Sequence, residues 1–348
     1  MLSKTNRQTI LLVFLFMGIS AQANEAGIFY QPRTVGSESL FNPASSFFSY
    51  TLDSMQVKQS FGTHDYADNL SLVWDHMRHP DEQVQNEGGY KDFINTEIIP
   101  VDYKNLGDSK AVLPNYGLHL FGGGLVYRKN AEWLEAHDMP YPYFTAGVLA
   151  MTAEILAEPI EKPTTDDTDE IADIYIFRPL GIWLYSSDKR AQYIKDTLDP
   201  VDWPHLMLYD TQKEEVLNSG LSYVVRPRWF SNPKRRFFAY MGITNLFGLS
   251  HKMNNGDEIS WGLGASTTSI KPTHLRESAG IFWDRNNSLL ASLIVNGTEG
   301  LALRANIYPG VWFNTETPLG FFAGLTDDGD PAFGLQFGLP IGLGATFE

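Results

Sequence analysis

Four ionisable residues in the middle of the chain have types and spacing that could support chemistry: His119, Glu154, Glu158 and Asp173. Glu154 and Glu158 are four positions apart, so a helix would place both on one face. His119 and Asp173 lie on the neighbouring apolar segments. A histidine beside two or three carboxylates can bind a divalent metal or act in acid–base catalysis. These four residues are therefore the candidate catalytic positions.

A simpler interpretation exists for each candidate, and the sequence favours it. Glu158 would be a solvated helix end, Asp173 a cap or loop residue, and His119 a packing residue. A buried Glu154 would still need a polar partner, because an unpaired buried carboxylate is costly. The resulting expectation is a chain without a cofactor or a metal, and a non-enzyme rather than an enzyme.

Linear enzyme signatures do not change that expectation. The chain has no G-x-S-x-G, no H-E-x-x-H, no phosphate-binding glycine loop and no G-x-G-x-x-G. The acidic run at 161–170 lacks the glycine and the distal glutamate of a calcium-binding EF-hand loop, and we interpret it as a solvated linker. A site assembled across strands leaves no linear motif, so an enzyme acting on lipid stays open as an alternative.

The candidates sit on segments that the sequence predicts to be helical. Tyr143–Glu158 is a small-residue apolar helix ended by Pro159, and Ile171–Tyr185 is a second apolar segment interrupted by Pro179. His119 and the three glycines Gly122–Gly124 lie in Tyr116–His137, where the glycines indicate close backbone packing. Tyr66–Met77 also has helical periodicity, whereas 80–115 is polar and loop-like.

This order of segments resembles that of some uncharacterised envelope proteins, in which a His/Gly-rich helix, a Glu-bearing helix and an Asp-bearing, Gly-containing segment precede a barrel. The corresponding residues here are His119 with Gly122–Gly124, Glu154 or Glu158, and Asp173 with Gly181. The resemblance covers about 70 residues and implies no known reaction.

The last third of the chain alternates between apolar and small or polar residues. From Phe333 to Phe347 every odd position is apolar, and the even positions are glycine, proline or polar, which is the side-chain period of a strand. Turn-forming residues separate similar runs. These patterns predict eight strands, near 215–228, 235–249, 257–269, 276–284, 288–295, 300–313, 319–326 and 332–347. Ten strands are the alternative.

A soluble sandwich or a lipocalin-like barrel would alternate in the same way with the apolar face inward. The unbroken apolar face and the aromatics near strand ends favour a membrane barrel instead. The sequence thus predicts a mostly β fold, a small antiparallel transmembrane β-barrel preceded by an α-helical N-terminal part. Its odd face would meet lipid, and Phe322, Tyr308, Trp312 and Arg304 would fill the interior opposite the glycines, rather than a segment of 116–185.

The C-terminal strand resembles the last strand of outer-membrane β-barrel proteins, which usually ends on an aromatic residue. Phe347 with Leu343, Ile341 and Leu339 would be the barrel-insertion signal, although Glu348 makes the aromatic residue penultimate. The resemblance implies outer-membrane lipids and the barrel-assembly machinery as partners. An external loop would carry the basic residues Arg226, Arg228, Lys234, Arg235 and Arg236. This loop could bind lipopolysaccharide phosphates, or it could be a basic loop without a ligand.

The N-terminal residues predict export. Lys4 and Arg7 precede the apolar run Ile10–Ile19, and Ala21-Gln22-Ala23 is an A-x-A cleavage site, so we expect a signal peptide cleaved after Ala23. An uncleaved N-terminal anchor is the alternative. The chain has no cysteine, and its formal net charge is −15 without an extended basic region, so nucleic acid is not an expected partner.

Four regions follow from these patterns: a signal peptide at 1–23, an irregular and helical periplasmic segment at 24–115, an apolar helical region at 116–200, and an outer-membrane barrel at 201–348. The predicted function is a structural or anchoring protein of the outer membrane with a helical module on the periplasmic side. An outer-membrane enzyme acting on lipid or lipopolysaccharide is the first alternative. A soluble periplasmic protein that binds a lipophilic ligand is the second.

Overall fold

The structure is a computed structural model that describes residues 26–57, 63–99, 112–161, 168–228, 234–269, 274–312 and 318–348. The predicted signal peptide, 1–23, and most of the acidic linker, 162–167, lie outside the described residues. Helices occupy the first part of the described chain and strands the second.

Nine α-helices are described: α1 (Pro43–Thr51), α2 (Thr63–Arg78), α3 (Pro80–Asn86), α4 (Tyr90–Phe93), α5 (Gly123–Ala136), α6 (Pro142–Ala157), α7 (Asp169–Ala172), α8 (Arg178–Tyr185) and α9 (Asp188–Leu198). Three π-helical stretches occur as well, at Ile94–Ile98, Val112–Gly122 and Asp173–Phe177. The predicted helices at Tyr66–Met77 and Tyr143–Glu158 are confirmed, whereas the predicted loop at 80–115 is wrong for the part that α3 and α4 occupy. None of the described helices combines the length and the hydropathy that crossing a bilayer requires.

The described strands are β1 (Val201–Pro204), β2 (Leu208–Asp210), β3 (Glu215–Leu217), β4 (Leu221–Val225), β5 (Arg235–Met241), β6 (Thr244–Lys252), β7 (Asp257–Ser269), β8 (His274–Arg285), β9 (Ser288–Thr298), β10 (Leu301–Ile307), β11 (Gly320–Thr326), β12 (Pro331–Gln336) and β13 (Gly342–Thr346). They form one 13-stranded sheet in the order β1-β4-β5-β6-β7-β8-β9-β10-β11-β12-β13-β2-β3. The pairing is antiparallel except between β13 and β2, which are parallel.

The sheet is curled, because one stretch of chain contributes to both of its ends. Three residues separate β1 from β2, and three separate β3 from β4. β1 pairs with β4 at one end of the strand order, and β2 pairs with β3 at the other. Between them, the backbone N–H of His205 donates to the carbonyl of Gly220 at 2.8 Å.

The predicted fold class, a small antiparallel transmembrane β-barrel of eight or ten strands, is wrong, because the sheet is mixed and has 13 strands. Three of the predicted strands are each two strands joined by a turn: 215–228, 235–249 and 332–347. Gly220 and Gly338 turn the chain with φ of 141° and 76° in the first and the last. β1 and β2 lie before the first predicted strand and were not predicted.

The alternation itself is confirmed, and it defines two faces of the sheet. The outer face carries exposed apolar side chains, and the odd positions Phe333, Leu343 and Phe347 belong to it, each more than half exposed. The inner face is buried, and Gly334, Gly342 and Gly344 lie on it. A side chain added at any of these glycines would meet Leu208 of β2.

Residues 36–57 lie along the inner face, where they fill much of its interior. At one end, Ser37 accepts a hydrogen bond from the backbone N–H of Leu289 at 3.0 Å. At the other, the Gln56 carbonyl accepts one from the hydroxyl of Thr298. Leu40 packs between them in a buried cluster with Trp203. The interior is therefore packed, and the segment that enters it comes from the N-terminal part rather than from 116–185.

The four residues predicted to fill the interior differ in position. Phe322, Tyr308 and Arg304 are buried on the inner face, as predicted. Trp312 is 62% exposed, so its assignment to the interior is wrong. It lies five residues beyond the end of β10, where the strand register no longer fixes the direction of the side chain.

Candidate functional site

Three of the four candidate residues come together between the helices. Glu154 is on α6, and His119 and Asp173 are on the π-helical stretches Val112–Gly122 and Asp173–Phe177. π-Helical turns are rare and occur often at functional sites. One oxygen or nitrogen from each of the three side chains lies within 4.8 Å of the others.

His119 bridges the two carboxylates with its two ring nitrogens. Nδ1 is 2.6 Å from Oε1 of Glu154, and Nε2 is 3.5 Å from Oδ2 of Asp173. An ionised carboxylate only accepts hydrogen bonds, so the Nδ1–H of His119 donates to Glu154. In the neutral imidazole this leaves the lone pair on Nε2, directed towards Asp173.

Arg178 and Tyr50 complete the partners of Glu154. The Nε of Arg178 donates to Oε2 of Glu154, and the hydroxyl of Tyr50 donates to the same oxygen at 2.7 Å. The Arg178 guanidinium also lies over the Tyr50 ring, 4.1 Å from its centroid. The requirement that a buried Glu154 have a partner is therefore met three times, by residues from three separate parts of the chain.

The glycines of Gly122–Gly124 create the space for this arrangement. A Cβ at Gly123 would collide with the guanidinium of Arg178. A Cβ at Gly124 would lie 2.7 Å from the carbonyl oxygen of Gly181 on α8. The close backbone packing that the glycines predict is thus confirmed, and it allows Arg178 to reach Glu154.

The two carboxylates of the site have opposite electrostatic environments. Burial raises the pKa of Glu154, but Arg178 and His119 outweigh burial and lower it to about 2. Burial also raises the pKa of Asp173, and here the neighbouring carboxylates Asp169 and Glu158 add to the effect, so that it lies well above its usual range. Glu154 is therefore ionised, whereas Asp173 favours its protonated form.

Glu158 is close to the site but not in direct contact with His119. Its side chain is 5% exposed, so the interpretation as a solvated helix end is wrong. Burial and the carboxylate of Glu161 raise its pKa well above the usual range. The turn Glu158–Ile160 follows α6 directly and packs against α2, which removes Glu158 from solvent.

A second polar cluster adjoins the site on the side of α2, α7 and the stretch Ile94–Ile98. Nδ1 of His76 contacts Oε1 of Glu170, and both side chains are buried. Asn115 donates to Oε2 of Glu97 at 3.2 Å. The middle of the helical region therefore holds many acidic groups away from bulk water. The stability of the fold depends on whether these groups are protonated.

A cavity beside Tyr50 and Arg178, lined also by Ala150 and Ala153, measures about 10 Å³. A volume near that of one water probe holds a single water at most. That cavity is therefore too small for an organic substrate.

The predicted basic loop between β4 and β5 is partly wrong. Arg226 is fully buried and pairs with Asp284, with Nη1 2.9 Å from Oδ1. Arg236 binds Asp199 and Glu258, both at 2.6 Å. These two arginines are neutralised within the fold and do not belong to a free basic surface. Residues 229–233 between them lie outside the described residues.

Several residues of the site were not predicted. Tyr50 lies on α1, in a region that the sequence analysis treated as irregular. Arg178 carried a signal, because it is the one basic residue in the apolar segment Ile171–Tyr185. A lone arginine in an apolar segment requires a buried acidic partner, and Glu154 lies in the preceding apolar helix.

No protein-family model, curated protein or solved structure matches this chain.

Proposed function

We propose that this chain is an exported envelope protein whose curled sheet is embedded in the outer membrane through its outer face and carries the helical region as a module on the periplasmic side. The observation that carries the proposal is the reversed polarity of the sheet. Its exposed face is apolar, and its buried face holds many polar and charged groups.

The outer face would be unfavourable in water. Twelve large apolar side chains on β6–β9 and β11–β13 or directly after β13 are 40% to 68% exposed: Phe247, Leu249, Trp261, Leu263, Leu275, Ile281, Leu293, Val295, Leu325, Phe333, Leu343 and Phe347. Water-soluble monomers rarely expose continuous apolar patches larger than a few hundred Å². Neighbouring strands carry these residues side by side, as in the pairs Trp261–Ile281 and Ile281–Leu293. Contact with lipid would remove the free-energy cost of exposing these side chains to water.

The inner face differs, because it carries polar and charged groups beside the apolar cluster around Trp203. Hydroxyl groups bond one another across strands, from Thr244 to Ser266 at 2.9 Å and from Ser266 to Ser278 at 2.7 Å. Arg304 is fully buried and donates to His205 at 2.8 Å. A polar interior beneath an apolar exterior is typical of sheets that face lipid.

The backbone pairing is compatible with lipid as well. A strand in hydrocarbon needs partners for its N–H and C=O groups, because no water is present to replace them. Every strand from β4 to β13 is paired on both sides, and so is β2. The strands at the ends of the order, β1 and β3, are each paired on one side and are joined to β2 and β4 by three residues.

A soluble protein that binds a lipophilic ligand would require the alternating apolar face to line an internal cavity. That face is exposed instead, and the inner face is packed with residues 36–57 and the cluster around Trp203. The proposed partners are accordingly membrane lipids. Of the predicted insertion signal, Leu339 and Ile341 precede β13, so recognition by the barrel-assembly machinery would depend on Leu343 and Phe347.

Fractionation of the envelope tests the proposal. The protein is expressed in a Gram-negative host, and the inner and outer membranes are separated by density. Recovery in the outer-membrane fraction that persists after carbonate and urea washes is the expected result. A soluble periplasmic lipoprotein carrier and an integral inner-membrane protein serve as markers. Recovery in the soluble periplasm, in the inner membrane or in the carbonate wash would overturn it.

A second candidate function, acid–base chemistry on lipid, is supported by the opposite pKa shifts of Glu154 and Asp173 on either side of His119. Two nearby groups whose pKa values are shifted in opposite directions can act as a general acid and a general base. Hydrolysis or acyl transfer by the purified chain in mixed micelles, abolished by H119Q, would support it. Equal turnover by H119Q and the parent chain would exclude it. It ranks second because the cavity beside Tyr50 and Arg178 is too small for a lipid.

A further inference from the structure

We infer that His119 and Asp173 form the protein part of a binding site for a borderline divalent transition-metal ion, such as Zn²⁺, with Glu154 as the group that orients His119. The inference is independent of where the protein resides and of any reaction.

The separation of the two ligand atoms matches a shared ion. Nε2 of His119 and Oδ2 of Asp173 are 3.5 Å apart, which is long for a direct hydrogen bond. Two ligand atoms at about 2.0 to 2.2 Å from a tetrahedral ion lie roughly 3.3 to 3.6 Å from each other. The pair therefore already has the spacing of two ligands of one tetrahedral ion.

The nitrogen that faces Asp173 has its lone pair available. Glu154 accepts from Nδ1 of His119 at 2.6 Å, which fixes the tautomer and the direction of the ring. A carboxylate that holds the far nitrogen of a metal-binding histidine is a recurrent feature of metal sites. Glu154 is itself held by Arg178 and Tyr50. Its oxygens are occupied, so it positions His119 rather than binding the ion.

Asp173 has coordinating capacity that the protein does not use. Its side chain is 3% exposed, and Oδ1 has no hydrogen-bond partner among the described residues. A buried oxygen without a partner is costly, and native structures usually provide one. An ion bound by both oxygens of this carboxylate would supply it, and a water on an ion bound through Oδ2 would do the same.

The surrounding charge favours a cation over a neutral occupant. Two buried carboxylates, Glu154 and Asp173, each place an oxygen within 4.8 Å of a ring nitrogen of His119. Arg178 is directed at Glu154 and not at Asp173. A dication at Nε2 and Oδ2 would stabilise the ionised Asp173, and water would complete an open coordination sphere.

The mixed nitrogen and oxygen ligands select the class of ion. Calcium and magnesium prefer oxygen ligands alone, whereas imidazole nitrogen suits zinc and similar ions. Zn²⁺ should therefore bind more tightly than Ca²⁺ or Mg²⁺ at equal concentration.

The test uses the full chain without a histidine tag, purified in detergent, treated with a chelator and dialysed. Zn²⁺ binding is measured by calorimetry, and the bound metal is counted by mass spectrometry. One ion per chain is the expected stoichiometry. D173N removes a ligand at nearly constant shape, and E154Q removes the orienting carboxylate. Both should weaken binding by about 10-fold to 100-fold.

The chain offers a matched control in His79 and Asp75. Their Nδ1 and Oδ1 atoms are 3.4 Å apart, but both side chains are exposed. D75N should leave the affinity for Zn²⁺ unchanged. Circular dichroism confirms that each variant is folded. If a variant does not fold, Zn²⁺ binding by the wild type still tests the inference. Absence of Zn²⁺ binding to the folded wild type, unaltered binding by D173N, or preference for Ca²⁺ over Zn²⁺ would each overturn the inference.

Discussion

Glu154 and Arg178 form an ion pair in which neither side chain reaches solvent, with exposures of 0% and 1%. The pair joins α6 to the first residue of α8. A buried ion pair adds little net stability over an apolar pair of the same shape, because both charges lose their hydration. The loss of one partner is different, since it leaves the other charge buried and uncompensated.

E154Q should therefore destabilise the fold by about 3 to 5 kcal/mol, because it leaves the guanidinium of Arg178 without its counter-charge. Denaturant unfolding in detergent measures the change. E135Q is the matched control, since Glu135 is exposed on α5. The double variant E154Q/R178M should recover part of the loss. A double variant less stable than E154Q alone would contradict this account.

G123A should lower stability, because its methyl group would displace the Arg178 guanidinium from Glu154. G147A provides the comparison: Gly147 is also helical, and a Cβ there would meet only Tyr127, at 3.9 Å. In a helix, alanine is favoured over glycine by about 1 kcal/mol. The melting temperature should thus fall for G123A and stay equal or rise for G147A. Equal shifts in the same direction would refute the role given to Gly123.

E170Q should change how stability depends on pH. Burial, followed by the carboxylates of Glu87 and Glu97, raises the pKa of Glu170 to about 7 from its ordinary value of 4.5. A carboxyl group with a raised folded pKa contributes stability that is complete below the unfolded value and is lost as pH rises through the folded value. Wild-type stability should decline between about pH 4.5 and pH 7, and E170Q should flatten that decline.

The same pH series on E82Q provides the control, because Glu82 is exposed on α3. Its profile should follow that of the wild type. If E170Q and the wild type decline in parallel over this range, Glu170 is not the group responsible.

L263R tests the contact of the outer face with lipid. Leu263 on β7 is 62% exposed, and an arginine on a lipid-facing strand costs about 2 to 4 kcal/mol near the middle of the bilayer. The variant should be depleted from the carbonate-washed outer membrane. Y193R is the control, since Tyr193 on α9 is 71% exposed but outside the sheet. Normal recovery of both variants would argue that water, not lipid, covers the outer face.

The sequence predicts the alternating faces because period two depends only on neighbouring residues. Strand number was harder to predict, since apolar alternation runs through a turn at Phe337–Ile341 without an Asn-Gly or Asp-Gly signal. The parallel pairing of β13 with β2 joins residues more than 130 positions apart, as between Gly342 and Leu208. No local pattern contains such a contact.

The sequence predicted His119, Glu154 and Asp173 as members of the site, because they lie on neighbouring apolar segments and such segments pack together. Tyr50 could not be placed from spacing, because its partner Glu154 lies 104 residues away. A local signal for its helix did exist. Asn42 caps α1 by accepting from the backbone N–H of Ser45 at 2.9 Å, and Pro43 follows as the first helical residue.

The segment 36–57 on the inner face also constrains the order of folding. Its contacts with β9 span about 250 residues of sequence, as between Ser37 and Leu289. Contacts this distant slow folding, because loop closure must precede the stabilising interactions. The residues that are synthesised first can reach their places only when β9 is available. Until then the chain must persist as an open intermediate, which is the state in which chaperones and proteases compete for it.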